Sequence, residues 1–242
     1  MIALLCSVQA EADLLLSTMT VTGALQLGAK SIIMGKLAGR DISLCVGGMG
    51  KVNAAHAATL LLTNASAEAL IVFGIGGAYR SSGANIGDVV LAREEIAADE
   101  GVLTPEGFKD TSHIGIPLLK TATSVIYHTF PASASLLEQA LQTLSSRADT
   151  ASPIHAGTFV TLSTCTGTSA RAEELEARYH GLCENMEVAA AAQVALSHHI
   201  PWLELRGISN LVKDRAMKEW DIPKATAVVQ NAVIDILKGW NP

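Results

Sequence analysis

The feature that most constrains this chain is an alternation. Short apolar runs recur along its 242 residues, separated by longer Ala- and Leu-rich stretches with helical period. Strands alternating with helices write such a pattern, and they pack as a sheet with helices on both faces. The predicted strands are 2–6, 31–37, 42–47, 69–74, 88–92, 155–163 and 202–208, and the predicted helices 11–18, 51–65, 133–146, 168–179, 187–199 and 222–238. Lys36-Leu37-Ala38-Gly39-Arg40-Asp41 reads as a hairpin turn between two strands, which makes the sheet mixed rather than purely parallel. No repeat, low-complexity linker or composition break divides the chain. The expectation is one α/β domain over residues 1–242, a three-layer α/β/α sandwich with a central mixed sheet.

Composition narrows the partners. Hydrophobic residues make up 49% of the chain and charged residues 17%, which excludes a disordered or fibrous polypeptide. A net charge of −6 has the wrong sign for gripping nucleic acid. No stretch reaches the roughly 18 apolar residues of a membrane span, and the first residues, MIALLCSVQAEAD, lack a basic leader. The expectation is therefore a soluble cytoplasmic protein with small-molecule or subunit partners. Cys6, Cys45, Cys165 and Cys183 lie far apart with no zinc spacing, and read as reduced thiols. The adjacent His198 and His199 cannot share a helix face, so no metal site is expected there. The stretch 99–131 is less periodic and carries three of the seven prolines, as functional or assembly segments often do.

Several segments could carry chemistry. Gly47-Gly48-Met49-Gly50-Lys51 precedes a helix, but Val52 stands where a phosphate-binding loop needs Ser or Thr. Gly74-Ile75-Gly76-Gly77-Ala78-Tyr79 lacks the third glycine of a dinucleotide fingerprint. Both read either as tight strand-end turns or as places where backbone approaches a ligand closely. Glu11 follows the first strand, where it could serve catalysis or simply sit at a helix start. Glu187 opens the nearly uncharged helix VAAAAQVAL, so its carboxylate needs either ligand hydroxyls or its own helix to cap. Arg206-Gly207-Ile208-Ser209-Asn210 ends an apolar strand with a polar cluster.

A first-strand Glu, FGIGGAY, GVLTPEGF, STCTGTSAR, ENMEVAAAA and RGISNLV followed by a Trp, in this order over roughly residues 3–238, resemble the nucleoside phosphorylase/hydrolase superfamily. Within it the likeness is to the futalosine hydrolase family, related to the 5′-methylthioadenosine/S-adenosylhomocysteine nucleosidases. The resemblance implies hydrolysis of a purine N-glycosidic bond without metal or other cofactor, on a homo-oligomeric scaffold of dimers or larger assemblies. By the same resemblance Glu11 activates water, Glu187 binds the ribose hydroxyls and Met186 packs on the sugar. Asn210 faces the purine imidazole edge with Ser209 and Arg206 beside it, and Trp220 is a lid. Thr164, Cys165 and Thr166 flank the base, and Gly76 and Gly77 belong to the binding loop.

The adenine nucleosidases of this superfamily carry Asp where this chain has Asn210. An amide donates to a 6-oxo group and accepts from a protonated N7, so the implied leaving base is hypoxanthine. For futalosine, the substrate benzoate needs a cation, with Arg80, Lys109 and Arg215 as candidates; the implied pathway is menaquinone synthesis. The alternatives are a methylthioadenosine/S-adenosylhomocysteine nucleosidase, a purine nucleoside phosphorylase, and a non-catalytic nucleoside-binding module.

Overall fold

The computed structural model describes residues 1–146 and 154–241. Its strands are β1 (Ile2–Cys6), β2 (Thr20–Leu27), β3 (Lys30–Leu37), β4 (Arg40–Val46), β5 (Ala69–Ala78), β6 (Val89–Ala97), β7 (Gly101–Thr104), β8 (Gly107–Asp110), β9 (Leu119–Lys120), β10 (Val125–Ile126), β11 (Thr129–Pro131), β12 (His155–Thr161), β13 (Cys183–Asn185) and β14 (Trp202–Leu211). The α-helices are α1 (Asp13–Thr18), α2 (Lys51–Asn64), α3 (Thr111–Ile114), α4 (Ala134–Ser145), α5 (Ser169–Tyr179), α6 (Val188–Ser197) and α7 (Ile222–Lys238).

Ten strands form one mixed sheet in the order β11-β6-β12-β13-β5-β1-β4-β3-β2, with β14 pairing both β5 and β6. Alternation along β1 serves two cores. Ile2, Leu4 and Cys6 face α1, α4 and α7 with Leu15, Leu137 and Val233, while Ala3 and Leu5 face α2 and α6 with Ala57, Leu61 and Ala192. Helices thus cover both faces, as the apolar pattern implied. The hairpin at 36–41 is present: Leu37 pairs Arg40, and Ala38 and Gly39 have φ of 51° and 80°, the positive pair that a two-residue primed turn requires. The irregular stretch folds into the hairpin β7–β8, the short pair β9–β10 and α3.

The strand pattern did not reveal a closure. β5 pairs β14, β14 pairs β6, β6 pairs β12, β12 pairs β13 and β13 returns to β5. Half of the sheet therefore curls into a ring while β1–β4 continue as an open wing. The three-residue β13, Cys-Glu-Asn, closes the ring and was too short to read from sequence. β1, β4, β5 and β14 all run parallel, so their carboxyl ends gather at one rim. Ligands collect at such rims in α/β sheets. No helix among the described residues is long and apolar enough to cross a membrane.

Candidate active site

A cavity of about 480 Å³ opens at that rim, and its wall brings together Glu11, Gly76, Gly77, Met186, Glu187 and Arg206. Ser209, Asn210, Cys165 and Trp220, also expected here from the sequence, line it too. Thr164 and Thr166 do not line it. Thr164 is exposed, and Thr166 is buried with its N–H donating to Glu184 Oε1 at 2.8 Å and its hydroxyl donating to Glu184 Oε2. The loop therefore presents Cys165 to the cavity, and Thr166 anchors it from behind.

Glu11 sits in a short 3₁₀ turn, Gln9–Glu11, directly after β1. Its Oε2 accepts from the N–H groups of Ser7 and Val8 at 2.9 and 3.1 Å, and its Oε1 from Ile75 N–H at 2.8 Å. Three backbone donors fix the carboxylate in one orientation at the cavity wall. The glycines of FGIGG matter here. A Cβ at Gly74 would strike both Glu11 Oε1 and Arg206 Nη1, so the missing side chain lets the carboxylate and the guanidinium meet over the strand. Their role is close approach, with no phosphate cradle.

Glu187 does not cap its own helix. Asn185 does so instead, its Oδ1 accepting from Glu187 N–H and Val188 N–H at 2.9 Å each. That leaves the Glu187 carboxylate to face the cavity, where Oε1 accepts from Gly50 N–H at 2.9 Å and Oε2 lies 3.8 Å from Arg206 Nη2. Gly50 has φ of 92°, a backbone state that glycine adopts without strain. The glycine-rich turn after β4 thus aims an amide at a carboxylate.

Arg206 is buried between carboxylates. Its Nε donates to Glu204 at 2.8 Å and its Nη1 to the carbonyl of Ile75 at 3.1 Å. Burial opposes its charge, but Glu204, Glu187 and Glu11 outweigh that and hold the guanidinium firmly protonated.

At the other end of the cavity, β14 presents Asn210 and β13 presents Glu184, each in register with Gly77 of the intervening β5. Ser209 donates to Asn210 Oδ1 at 2.8 Å and lies 3.2 Å from the Gly76 carbonyl, while Asn210 Nδ2 donates to the carbonyl of Leu211. Glu184 accepts from Thr166 twice and from the Tyr79 hydroxyl at 3.1 Å. Burial lifts its carboxyl above the usual carboxylate range, against those hydrogen bonds. Sequence reasoning missed Glu184, although a charge inside the apolar-flanked CENM stretch was the available signal. Of the three benzoate candidates, Arg215 lines the cavity, its guanidinium 4.8 Å from the Trp220 ring centre. Arg80 and Lys109 line separate hollows. Among the described residues no cluster of His, Cys, Asp and Glu could hold a metal ion.

The arrangement combines an acid and a guanidinium that approach each other over Gly74, a second carboxylate on the same wall, and an amide and a carboxylate on either side of Gly77. The chain belongs to the phosphorylase superfamily, whose model matches residues 1–238. It is similar to futalosine hydrolase of Streptomyces coelicolor, at 34% identity over 72% of this chain and 68% of that protein. It is also similar to futalosine hydrolase of Thermus thermophilus, at 30% over 78% of each chain. A 5′-methylthioadenosine/S-adenosylhomocysteine nucleosidase of Mycobacterium bovis is 26% identical over 87% of this chain and 85% of that one. In fold, the nucleosidase of Neisseria meningitidis, solved with methylthio-immucillin-A, superposes with a TM-score of 0.85 at 24% identity, covering 99% of both chains.

Proposed function

We propose that this chain hydrolyses the N-glycosidic bond of futalosine, releasing hypoxanthine and dehypoxanthinyl futalosine, in menaquinone synthesis. The family and the futalosine hydrolase relatives support a nucleoside hydrolase. The observation that carries the base assignment is the placement of Asn210 and Glu184 on either side of Gly77. Across one intervening strand their backbones stand about 10 Å apart, and both side chains line the cavity that would hold the purine. Asn210 donates from Nδ2 to O6 and accepts at Oδ1 from a protonated N7. Glu184 has about four acceptor sites, three of them filled by Thr166 and Tyr79, and the fourth suits the N1–H that hypoxanthine has and adenine lacks.

The bond to N9 breaks as positive charge builds on the ribose, and its electron pair enters the purine. Water held between Glu11 and Arg206 forms the new C1′–O bond and gives its proton to Glu11. Glu187 accepts from the ribose hydroxyls, Met186 packs on the sugar and Trp220 covers the base. Asn210 stabilises the departing base by hydrogen bonds and transfers no proton; the base takes its N7 proton from solvent, and Glu11 later returns the proton it took from water to solvent. Arg215, the one benzoate candidate of the three on this cavity, lies toward the base end with Asn210. No cofactor takes part in this scheme.

A phosphorylase would need cationic or amide donors free for phosphate where Glu11 sits. The chain acts, in this reading, as one cytoplasmic domain in a homo-oligomer, with the exposed Ile114, Ile116 and Val125 available to a second subunit. The test is base release with and without inorganic phosphate, using futalosine beside methylthioadenosine. Phosphate-independent hypoxanthine release from futalosine, with little adenine release, is expected. Strict phosphate dependence or a preference for methylthioadenosine overturns the reading.

A further inference from the structure

Behind the cavity wall two carboxyl groups, Glu95 and Glu204, lie within side-chain hydrogen-bonding reach of each other. Glu95 of β6 and Glu204 of β14 are both completely buried. Each has one oxygen spoken for: Glu95 Oε1 accepts from Thr161 Oγ1 at 2.7 Å and Asn185 Nδ2 at 3.1 Å, and Glu204 Oε1 accepts from Arg206 Nε at 2.8 Å. Each also has one oxygen, Oε2, that is buried without any hydrogen-bond partner. Two unpartnered anionic oxygens in a protein interior are costly, and the cost vanishes if one proton lies between them.

We propose that Glu95 is held protonated and donates its hydroxyl to Glu204, and that this acid pair positions Arg206 and Glu187 for the reaction. The connections run both ways from Glu95. Through Glu204 it fixes the guanidinium that faces Glu11 and Glu187. Through Asn185 it fixes the amide that caps α6 at Glu187. Glu95 and Glu204 touch no substrate in this scheme and are positioning residues.

The surroundings assign the proton to Glu95. Glu204 has the cation at hydrogen-bond distance. Glu95 faces Glu204 and Arg206 from β14 and the Cys183 thiol from β13. Beside it, β11 and β12 offer Phe130 and Phe159, and α6 is VAAAAQVALS, without a charge. Burial, and then Glu204, push its carboxyl well above the usual carboxylate range.

A glutamine keeps an acceptor oxygen and puts an N–H donor where a protonated glutamic acid has its hydroxyl, which makes Glu95→Gln the decisive variant. It is expected to keep kcat/KM within about threefold of the parent, a near-isosteric exchange of one hydrogen bond for another. The parent should lose activity at high pH, when the shared proton leaves, and Glu95→Gln should not. Glu95→Leu keeps the volume without the hydrogen bonds, and kcat should fall on the order of 10- to 100-fold as Arg206 and Glu187 lose their fixed geometry. Infrared difference spectra at neutral pH should show a protonated carboxyl band in the parent that Glu95→Gln lacks. That arm needs no substrate, so its failure sinks the acid pair while leaving the futalosine reading standing. A missing band, or a Glu95→Gln variant as impaired as Glu95→Leu, overturns the proposal.

Discussion

At the end of the cavity where β1 and β4 terminate, Glu11 and Glu187 are held mainly by backbone amides: Ser7, Val8 and Ile75 for one, Gly50 for the other. At the end where β13 and β14 flank Gly77, Asn210 and Glu184 are held chiefly by side chains, Ser209, Thr166 and Tyr79. Backbone donors survive almost any substitution, whereas side-chain partners change with single residues. In the proposed function the first end accordingly serves what every N-glycosidic hydrolysis needs, water and ribose, and the second end serves the choice of base. Substitutions should separate along this line, those at the first end acting on rate for any base and those at the second on preference between bases.

The largest effect belongs to Glu11→Gln. An amide cannot take the proton from water, so kcat should fall about 10²–10⁴-fold for every nucleoside that is cleaved. Hypoxanthine affinity, measured by calorimetry on the free base, should stay near the parent value, because the base end is untouched. A variant that still releases base at the parent rate removes the assigned role. Glu187→Gln comes next. Losing charge-assisted hydrogen bonds to ribose costs about 1.5–3 kcal/mol, roughly a 10- to 100-fold loss in kcat/KM. Removing a ribose hydroxyl from the substrate should cost nearly the same, and the two losses should not add. Full additivity would place the hydroxyls elsewhere.

Asn210→Asp probes the second end. A carboxylate opposite O6 repels it, so kcat/KM for the 6-oxopurine substrate should fall about tenfold or more, the value of one hydrogen bond replaced by a clash of acceptors. Cleavage of a 6-aminopurine nucleoside should hold or rise, because a carboxylate accepts from the amino group. Equal losses on both substrates would mean that Asn210 sets geometry and not base preference.

The same division explains what the sequence made legible. Glu11, Glu187 and the Arg206–Asn210 cluster each stand where a recognisable apolar segment starts or stops, so their place at the end of an element could be read directly. Glu95 stood in Arg93-Glu94-Glu95, a charge run that reads as solvent, and β6 was accordingly predicted to stop at 92 although it continues to Ala97. The structure buries Glu95 because β11 and β12 cover that end of β6 on both edges. Glu204 carried a usable signal, a carboxylate within the apolar run WLELR of a strand buried throughout. β2 was missed for the opposite reason: it is an edge strand, TVTGALQL, in which no residue is fully buried and only Leu25 and Leu27 pack against the core.

The smallest expected effect sharpens the comparison most. Glu184→Gln leaves one carbonyl oxygen for three donors, Thr166 N–H, the Thr166 hydroxyl and the Tyr79 hydroxyl, so the variant should be less stable than the parent in mildly acidic solution. The gap should narrow as pH rises. Burial raises the Glu184 carboxyl above the ordinary glutamate value of 4.5 in the folded protein, so the folded state binds the proton more tightly than the unfolded chain. Its contribution to stability is then complete below about 4.5 and fades as pH climbs through the folded value, whereas a glutamine does not titrate. Melting curves of both proteins from mildly acidic to neutral pH should therefore converge. A gap that widens with pH would show a carboxylate stabilised in the folded state. In binding, the variant should lose its preference for hypoxanthine over 1-methylhypoxanthine, which has no N1–H to donate. If the preference persists, Glu184 only anchors the loop through Thr166, and base choice rests on Asn210.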